Sequence, residues 1–389
     1  MLEHETDIAI IGGGMAGIAA AIAVSELGKE AIIVEKEKYL GGNAILSNVG
    51  TICGAYMTNT TRPIDHPMIR KLLDELKGNP IKHADNLSIL PYEVDYLHEL
   101  IKSWIDNSNV KVLSSASLVK SFSINDKIKA IRVKHDNEEV NLKARGFVDS
   151  SGIGVLSEMA GAEMLRSKKY QAASQVFQVV NVNSNNEFSL NFALRKSIIA
   201  RYKEYNLPVE LSSISVIPGS LIRGRAELKF ILPVEINDGS SQKDLDKEGV
   251  YYSNRIFELL KNETESLHDS SIGKIYPQAG VRVRQRAKGK YILTEEDVLS
   301  CTKWSSDVAA LGTWPIEEWQ YSGKVVLHNL PKNDYYEIPN DCLRSNKISN
   351  LFLAGKNISA TDRAIASARV IGTCVQTGYA AGKLAAHLH

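Results

Sequence analysis

The 389-residue chain is too long for one ordinary hydrophobic core and predicts two domains. Its 44% hydrophobic and 23% charged residues are the balance of a soluble globular protein. Its 46 basic against 45 acidic side chains give no support to nucleic-acid or membrane binding as the main activity. Cys53, Cys301, Cys342 and Cys374 are widely spaced and match neither a metal-ligand spacing nor a dense disulfide framework. Reduced thiols, a cytoplasmic location and no metal are therefore expected.

The opening MLEHETD is acidic, and the apolar segment after it is interrupted by Ser25 and Glu26, so neither a signal peptide nor a membrane span is expected. From Asp7 to Glu35 the pattern is specific. Apolar β-formers Ile8 to Ile11 lead into Gly12, Gly14 and Gly17 in G-x-G-x-x-G spacing. A helix from Met15 to about Leu27 follows, then a strand from Ala31 to Val34 that ends on Glu35. Gly12 permits the tight turn, Gly14 lets backbone approach a pyrophosphate, and Gly17 lets helix and strand pack closely. Met15 and Ala16 sit in the first helical turn, whose free N–H groups and dipole favour phosphate. Glu35 is placed to accept the hydroxyls of an adenosine ribose, with Lys36 beside it. The motif predicts dinucleotide binding.

Gly41-Gly42, followed by Asn43, lies a few residues past that acid. A nicotinamide-only unit has no reason for such a doublet, which tilts the nucleotide from NAD toward FAD. Small and apolar residues run on to Tyr56, and Cys53 within them reads as a buried structural thiol. Residues 62–90 carry Pro63, Pro67 and Pro80 and read as a surface excursion with a helix around 68–76. Apolar spacings of three and four predict a helix over 91–107. A strand follows at 110–113. Three alternating runs (117–123, 127–134, 139–144), punctuated by Asn125-Asp126 and Asp136-Asn137, predict a β-meander inserted in a parallel sheet. A separate strand, 146–150, then returns to the sheet and ends in DSSGIG, where Asp149, Ser151 and Gly152 are candidates to face the cofactor. A short helix is expected over 154–165.

Beyond about residue 166 the pattern changes. Strands at 174–182, 213–217 and 227–234 and helices at 190–205 and 251–265 predict a smaller α+β cap domain, with a mobile polar loop (NDGSSQKDLDKEG) between. Arg223 with Arg225, and Arg282, Arg284 and Arg286, alternate as they would on one face of a strand. Guanidiniums so gathered call for an anion. From Ile338 the chain returns to the first domain. A strand at 350–353 turns at Ala354-Gly355-Lys356-Asn357, and an Ala/Gly-rich helix runs from Arg369 to His387. Gly372, Thr373 and Gly378 suit close approach of that helix to a planar ring, and its positive end would stabilise negative charge there. The expected domains are 1–160 with 335–389, binding the cofactor, and 161–334, binding substrate.

Four blocks resemble the FAD-dependent oxidoreductase family of the glutathione-reductase-like superfamily, related to fumarate reductase and succinate dehydrogenase flavoproteins. They are IIGGGMAGIAAA, EKEKYLGGNAILSNVGT, GVRVRQRAKGKYILTEEDVL and the 338–382 segment. In the third, Gly280, Arg282, Arg286, Gly289, Tyr291 and Asp297 fit the family pattern, while Val283, Arg284 and Gln285 depart from it. In the fourth, Gly355, Ser359, Arg369, Thr373, Cys374 and Gly382 fit. Asp362-Arg363 replaces the family's His-Glu, so a role for that histidine does not transfer. The resemblance implies bound FAD, a Rossmann-like FAD-binding domain, and a main-chain contact from Val119 to adenine.

The resulting expectation is a dehydrogenase or oxidase. It takes hydride from a small, anionic organic substrate onto flavin N5, with oxygen, a quinone or another redox partner as final acceptor. Proximity of the substrate carbon to N5 supplies much of the rate. Arg369 and Arg286, then Arg282, are the candidates to hold the anion, and Tyr291 and His328 to take the proton. The alternatives are an NAD(P)H-dependent flavin monooxygenase and a flavin-binding partner protein without turnover. A disulfide reductase is disfavoured because no closely spaced cysteine pair lies near the flavin block.

Overall fold

Why Ile8–Ile11 and Ala31–Val34 are continuously apolar is answered by their place: both are interior strands of a sheet covered on both faces. The computed structural model describes residues 2–83, 87–136 and 138–388. Strands β1 (Leu2–Ile11), β2 (Ala31–Val34), β3 (Val110–Leu113), β4 (Ser117–Ile124), β5 (Lys127–His135) and β6 (Glu138–Asp149) form one sheet in the order β3-β2-β1-β6-β5-β4. The pairs β3–β2, β2–β1 and β1–β6 are parallel, and the meander pairs are antiparallel. A strand from the far end of the chain, Leu351–Leu353, also pairs parallel with β6. The architecture is mixed α/β, with a Rossmann-like, parallel-rich sheet and smaller sheets around it.

The meander's third run and the returning strand, expected as two strands, are one. β6 pairs antiparallel with β5 as far as Lys143 and parallel with β1 from Val140 to Asp149, so the β1 ladder carries it through Ala144–Gly146. Of the meander turns, Asn125 and Asp136 have positive φ as turn residues do, and Asn137 lies outside the described residues.

Helix α1 (Met15–Glu26) is buried from Met15 to Val24, and the C-terminal helix (Ile371–Ala386) lies against it. A Cβ on Gly378 would come within 2.1 Å of the Ala16 carbonyl oxygen, and one on Gly382 within 2.3 Å of the Ala20 oxygen. A Cβ on Gly372 would meet the Gly54 oxygen at 2.2 Å. The small residues of this helix thus serve backbone-to-backbone packing against protein. Packing against protein accounts for Gly372 and Gly378 without a planar ring.

Residues 62–90 are not a surface excursion. The helix Pro67–Leu76 buries Met68, Ile69 and Leu72, and Leu87–Leu90 are buried in a strand paired on both sides. Segment 154–165 is a helix only over Val155–Met159, followed by a strand at Met164–Arg166.

The cap is an antiparallel sheet of β7 (Ser174–Val180), β8 (Ser215–Val216), β9 (Arg225–Ile231) and β10 (Ser271–Ile275) in the order β8-β9-β7-β10. One face, with Phe177, Val179, Ala226, Leu228 and Phe230, packs against helices α2 (Glu187–Arg201) and α3 (Gln242–Glu263) through Leu194, Ile198, Leu245 and Leu259. The polar stretch expected as a loop at 237–249 contains the first two turns of α3. The Ser241 hydroxyl accepts the Asp244 N–H at 3.2 Å, an N-cap strong enough to start a helix in a polar sequence. Leu293, Val298, Ala310, Ile316, Tyr336 and Ile338 are buried in the core shared by β1 and α1.

The alternating arginines do not share a face. Residues 281–284 are irregular and only Gln285–Ala287 is a strand, while Arg223 stands in a turn at φ +50° and Arg225 is exposed. Among the described residues no helix is long and apolar enough to cross a membrane, and no cluster of His, Cys, Asp and Glu could hold a metal.

Candidate active site

The turn out of β1 leaves a cradle. Gly12 has φ +101°, and a Cβ on Gly14 would meet nothing within 4 Å. Gly42 lies against the Gly14 Cα, and the Gly41 amide donates to the Gly13 carbonyl at 2.8 Å. The doublet thus forms the second wall of the phosphate loop. The carboxylate of Glu35 accepts the Gly13 N–H on Oε2 at 2.6 Å and the Glu37 N–H on Oε1 at 2.9 Å. Burial raises its pKa and these amides oppose the rise, so the carboxylate is fixed at the strand tip, where a ribose would lie. Its neighbour Lys36 is exposed and pairs with Glu37 at 3.5 Å. Val119 falls at an irregularity between Leu118 and Lys120, where the register to β5 shifts.

Asn43 Nδ2 and Lys356 Nζ both donate to the Val281 carbonyl at 3.3 Å, which joins the doublet, the Gly355 turn and the Gly280–Arg284 segment at one point. Burial lowers the Lys356 ammonium to about 8, and its side chain lies against Gly152. A nearby anion would raise that pKa again. Ser151 gives both N–H and hydroxyl to Asp149. Asp149 is wholly buried, and its other oxygen accepts the N–H and hydroxyl of Ser157 at 2.7 Å each, so it holds the turn together instead of facing a cofactor. The Gly372 N–H donates to the Cys53 carbonyl at 2.8 Å and is likewise spent inside the protein. By contrast, the buried Thr373 hydroxyl has no partner among the described residues. Met15 and Ala16 are buried beneath this cradle. An open glycine cradle, a fixed carboxylate at the strand tip and an orphaned hydroxyl at a helix start fit a dinucleotide with a flat ring.

Beside it is a buried cationic cluster. Arg369 Nη2 donates to the Glu317 carbonyl at 3.1 Å and to Gln171 at 3.3 Å, with the Glu317 carboxylate at 3.5 Å. Arg282, only 8% exposed, donates to the Ala172 carbonyl, and its guanidinium lies 4.0 Å from the Trp319 ring centroid. The Lys229 ammonium sits over the same ring at 4.8 Å. Burial lowers all three pKa values, Arg282 to about 9 with Arg369 adding to the effect, while Glu317 opposes it for each. The Nε atoms of Arg282 and Arg369 and the Trp319 Nε1 are buried with no partner among the described residues. Three cations against one near carboxylate, with orphaned donors, form a place for an anion.

The remaining candidates lie elsewhere. Arg286 spends three of its five N–H donors inside the protein: Nε donates to the Ala360 carbonyl at 2.5 Å, Nη1 to Ser167 at 3.1 Å and Nη2 to Asp362 at 2.6 Å. These bonds tie its guanidinium to the Ala360–Asp362 turn and to Ser167. Tyr291 gives its hydroxyl to Asp297 at 3.0 Å and stacks edge-on against Trp304, so it belongs to a helix cap and not to a proton path. His328 pairs with Glu318 at 3.0 Å on a half-exposed hairpin. Burial raises the Cys53 thiol to about 12, as suits a structural cysteine.

Sequence reading missed Lys229, Glu317, Trp319 and Gln171. Lys229 carries the one usable signal, a charge inside the apolar strand run AELKFIL.

A family model described as FAD dependent oxidoreductase matches residues 7–389. A digoxin reductase from Eggerthella lenta is 41% identical over 56 residues, 14% of this chain and 9% of that protein, so the chain matches only a small part of that relative's length. A geranylgeranyl bacteriochlorophyll reductase-like structure from Thermoplasma acidophilum has a TM-score of 0.50 at 14% identity, covering 99% of this chain and 77% of that one. At that identity the likeness is one of fold alone. A p-nitrophenol 4-monooxygenase from Pseudomonas putida is more distant, with TM-score 0.47, 13% identity and 75% and 71% of the two chains covered.

Proposed function

The chain belongs to the FAD dependent oxidoreductase family, and from that premise we propose that it oxidises a small organic anion held by Arg369 and Arg282. Bound FAD supplies the hydride acceptor. Residues Gly12 to Gly17, Gly41 to Asn43 and Gly355-Lys356 would hold its phosphates and ribityl chain, Glu35 its ribose, and Thr373 the edge of its ring. The observation that carries the proposal is the pair of buried guanidiniums with unpartnered Nε atoms around Trp319. Gln171 and Glu317 orient Arg369, and Trp319 shields the anion from water, which strengthens its pairing with the guanidiniums. We assign the chain to the glutathione-reductase-like branch, with residues 1–160 and 335–389 as cofactor domain and the β7–β10 sheet as the substrate roof. A cytoplasmic location accords with four cysteines that are all free.

The test is anaerobic mixing of the holoprotein with hydroxy-, amino- and unsubstituted carboxylates. At least one acid should bleach the oxidised flavin band, and its amide should fail to do so. If no carboxylate bleaches the band while NADPH does, the anion-oxidising reading is lost and the monooxygenase reading replaces it.

A further inference from the structure

The roof offers more than cations. Register pairs Gln178 with Glu227 and Val176 with Lys229, so these four share the sheet face opposite the α2/α3 core. Val176 on that face belongs to the same buried cluster as Met15 and Ile45 of the first domain, so the face looks toward the cofactor loops. Glu227 Oε1 accepts from Gln178 Nε2 at 2.8 Å and from the Tyr276 hydroxyl at 3.3 Å. Its Oε2 is inaccessible and has no donor among the described residues.

Opposite lies Asn48, 2% exposed and at φ +42°, on the loop that follows Gly42 and Asn43. Its amide faces the Glu227 carboxylate and favours its charged form. Asn48 Oδ1 and the neighbouring Ser47 hydroxyl are also buried, with no partner among the described residues. Buried acceptors without donors are costly, and here they gather two residues along the strand from Lys229, where orphaned donors begin. A ligand that satisfies both sets carries an anion at one end and a hydrogen-bond donor next to it.

We propose that the substrate is a carboxylate bearing a hydroxyl or amino group on the carbon to be oxidised, and that Glu227 is the catalytic base for that group. This rests on the anion-oxidising reading above. In the step, the C–H electron pair leaves as hydride to the family's FAD. The O–H or N–H proton passes to Glu227 Oε2, and the C–O or C–N single bond becomes double. The product is a 2-oxo acid, or an imino acid that water hydrolyses to it. Burial raises the pKa of Glu227, against the hydrogen bonds from Gln178 and Tyr276, the nearby Asn48 amide and the charge of Lys274, which suits a proton acceptor better than an ordinary carboxylate. Lys274 itself stands over the Tyr276 ring and pairs with Asp95 at 4.0 Å.

Two probes that cannot be oxidised separate the claims. 2-Hydroxy-2-methylpropanoate and 2,2-dimethylpropanoate differ only by hydroxyl for methyl, and neither carries a hydrogen on the carbon next to the carboxylate. Calorimetric titration of the holoprotein should show the hydroxy acid binding about tenfold tighter, with the difference lost in Glu227→Leu. In Glu227→Gln, affinity for the hydroxy acid should change by less than about threefold, while anaerobic flavin reduction by the best acid of the bleaching panel falls by about a hundredfold or more. Equal binding of the two probes to the wild type would overturn this inference and leave the anion reading standing. Binding of neither would overturn both. Unchanged flavin reduction in Glu227→Gln would remove the base.

Discussion

Gly378→Val is expected to give no folded flavoprotein. The two longest-range elements of the cofactor domain, α1 and the C-terminal helix, touch here through backbone, with an added Cβ only 2.1 Å from the Ala16 carbonyl oxygen. No rotamer relieves a clash between a Cβ and a main-chain oxygen, so the helices must separate. The same contact holds Gly355, whose Cβ would strike Ala16 at 2.7 Å, and the Gly54–Gly372 crossing one turn and a half away. Separation therefore loosens the dinucleotide cradle and the helix start together. Loss of soluble protein, or soluble protein without flavin absorbance, is the expected outcome of expressing the variant. A yellow protein with wild-type melting temperature would show that the two helices do not pack as described.

Asp149→Ala should cost roughly 3–5 kcal/mol, a large part of the ~5–15 kcal/mol that holds a domain together. The carboxylate receives four hydrogen bonds, from the N–H and hydroxyl of Ser151 and of Ser157, at 2.6–3.1 Å in a site with no solvent access. Removal strands four donors at the point where β6 ends. The strain spreads, because Asn357 donates to the Asp149 carbonyl at 3.2 Å and accepts the Ala287 N–H at 2.9 Å, tying this turn to the Gly355 turn. Asp149→Asn, which keeps the shape and one accepting oxygen, should lose about half as much. Urea unfolding followed by circular dichroism measures both, and a loss below about 1 kcal/mol for Asp149→Ala would show that the turn does not depend on this carboxylate.

How much of this was visible in the chain divides along the range of the interactions. The strand–glycine–helix–strand–Glu35 unit and the Gly41-Gly42 doublet are local patterns whose chemistry needs no partner from elsewhere, and the structure has them as read. Strand 350–353 was legible for the same reason. The buried cationic cluster was legible only in Arg369 and Arg282. Lys229, Glu317, Trp319, Arg282 and Arg369 are scattered over 140 residues and meet only when the cap sheet closes on the first domain. Alternation made Arg282, Arg284 and Arg286 look equivalent, yet the backbone at 281–284 is irregular, and each points to a different partner: Trp319, the Ser240 carbonyl and Asp362. Glycine content suggested contact between the C-terminal helix and a ring, because sequence marks close approach without saying what approaches. Polarity hid the start of α3, where one serine cap outweighed a loop-like composition.

Arg369 is proposed to bind the substrate's anion at the buried cationic cluster. The direct measurement is titration of holoprotein with 2,2-dimethylpropanoate, read as a perturbation of the flavin absorbance band, in wild type and in Arg369→Met. The account predicts saturable perturbation in the wild type, an affinity roughly a hundredfold weaker in Arg369→Met, and no comparable effect of the neutral amide. Identical titrations of the two proteins, or an amide that binds as well as the acid, would contradict it.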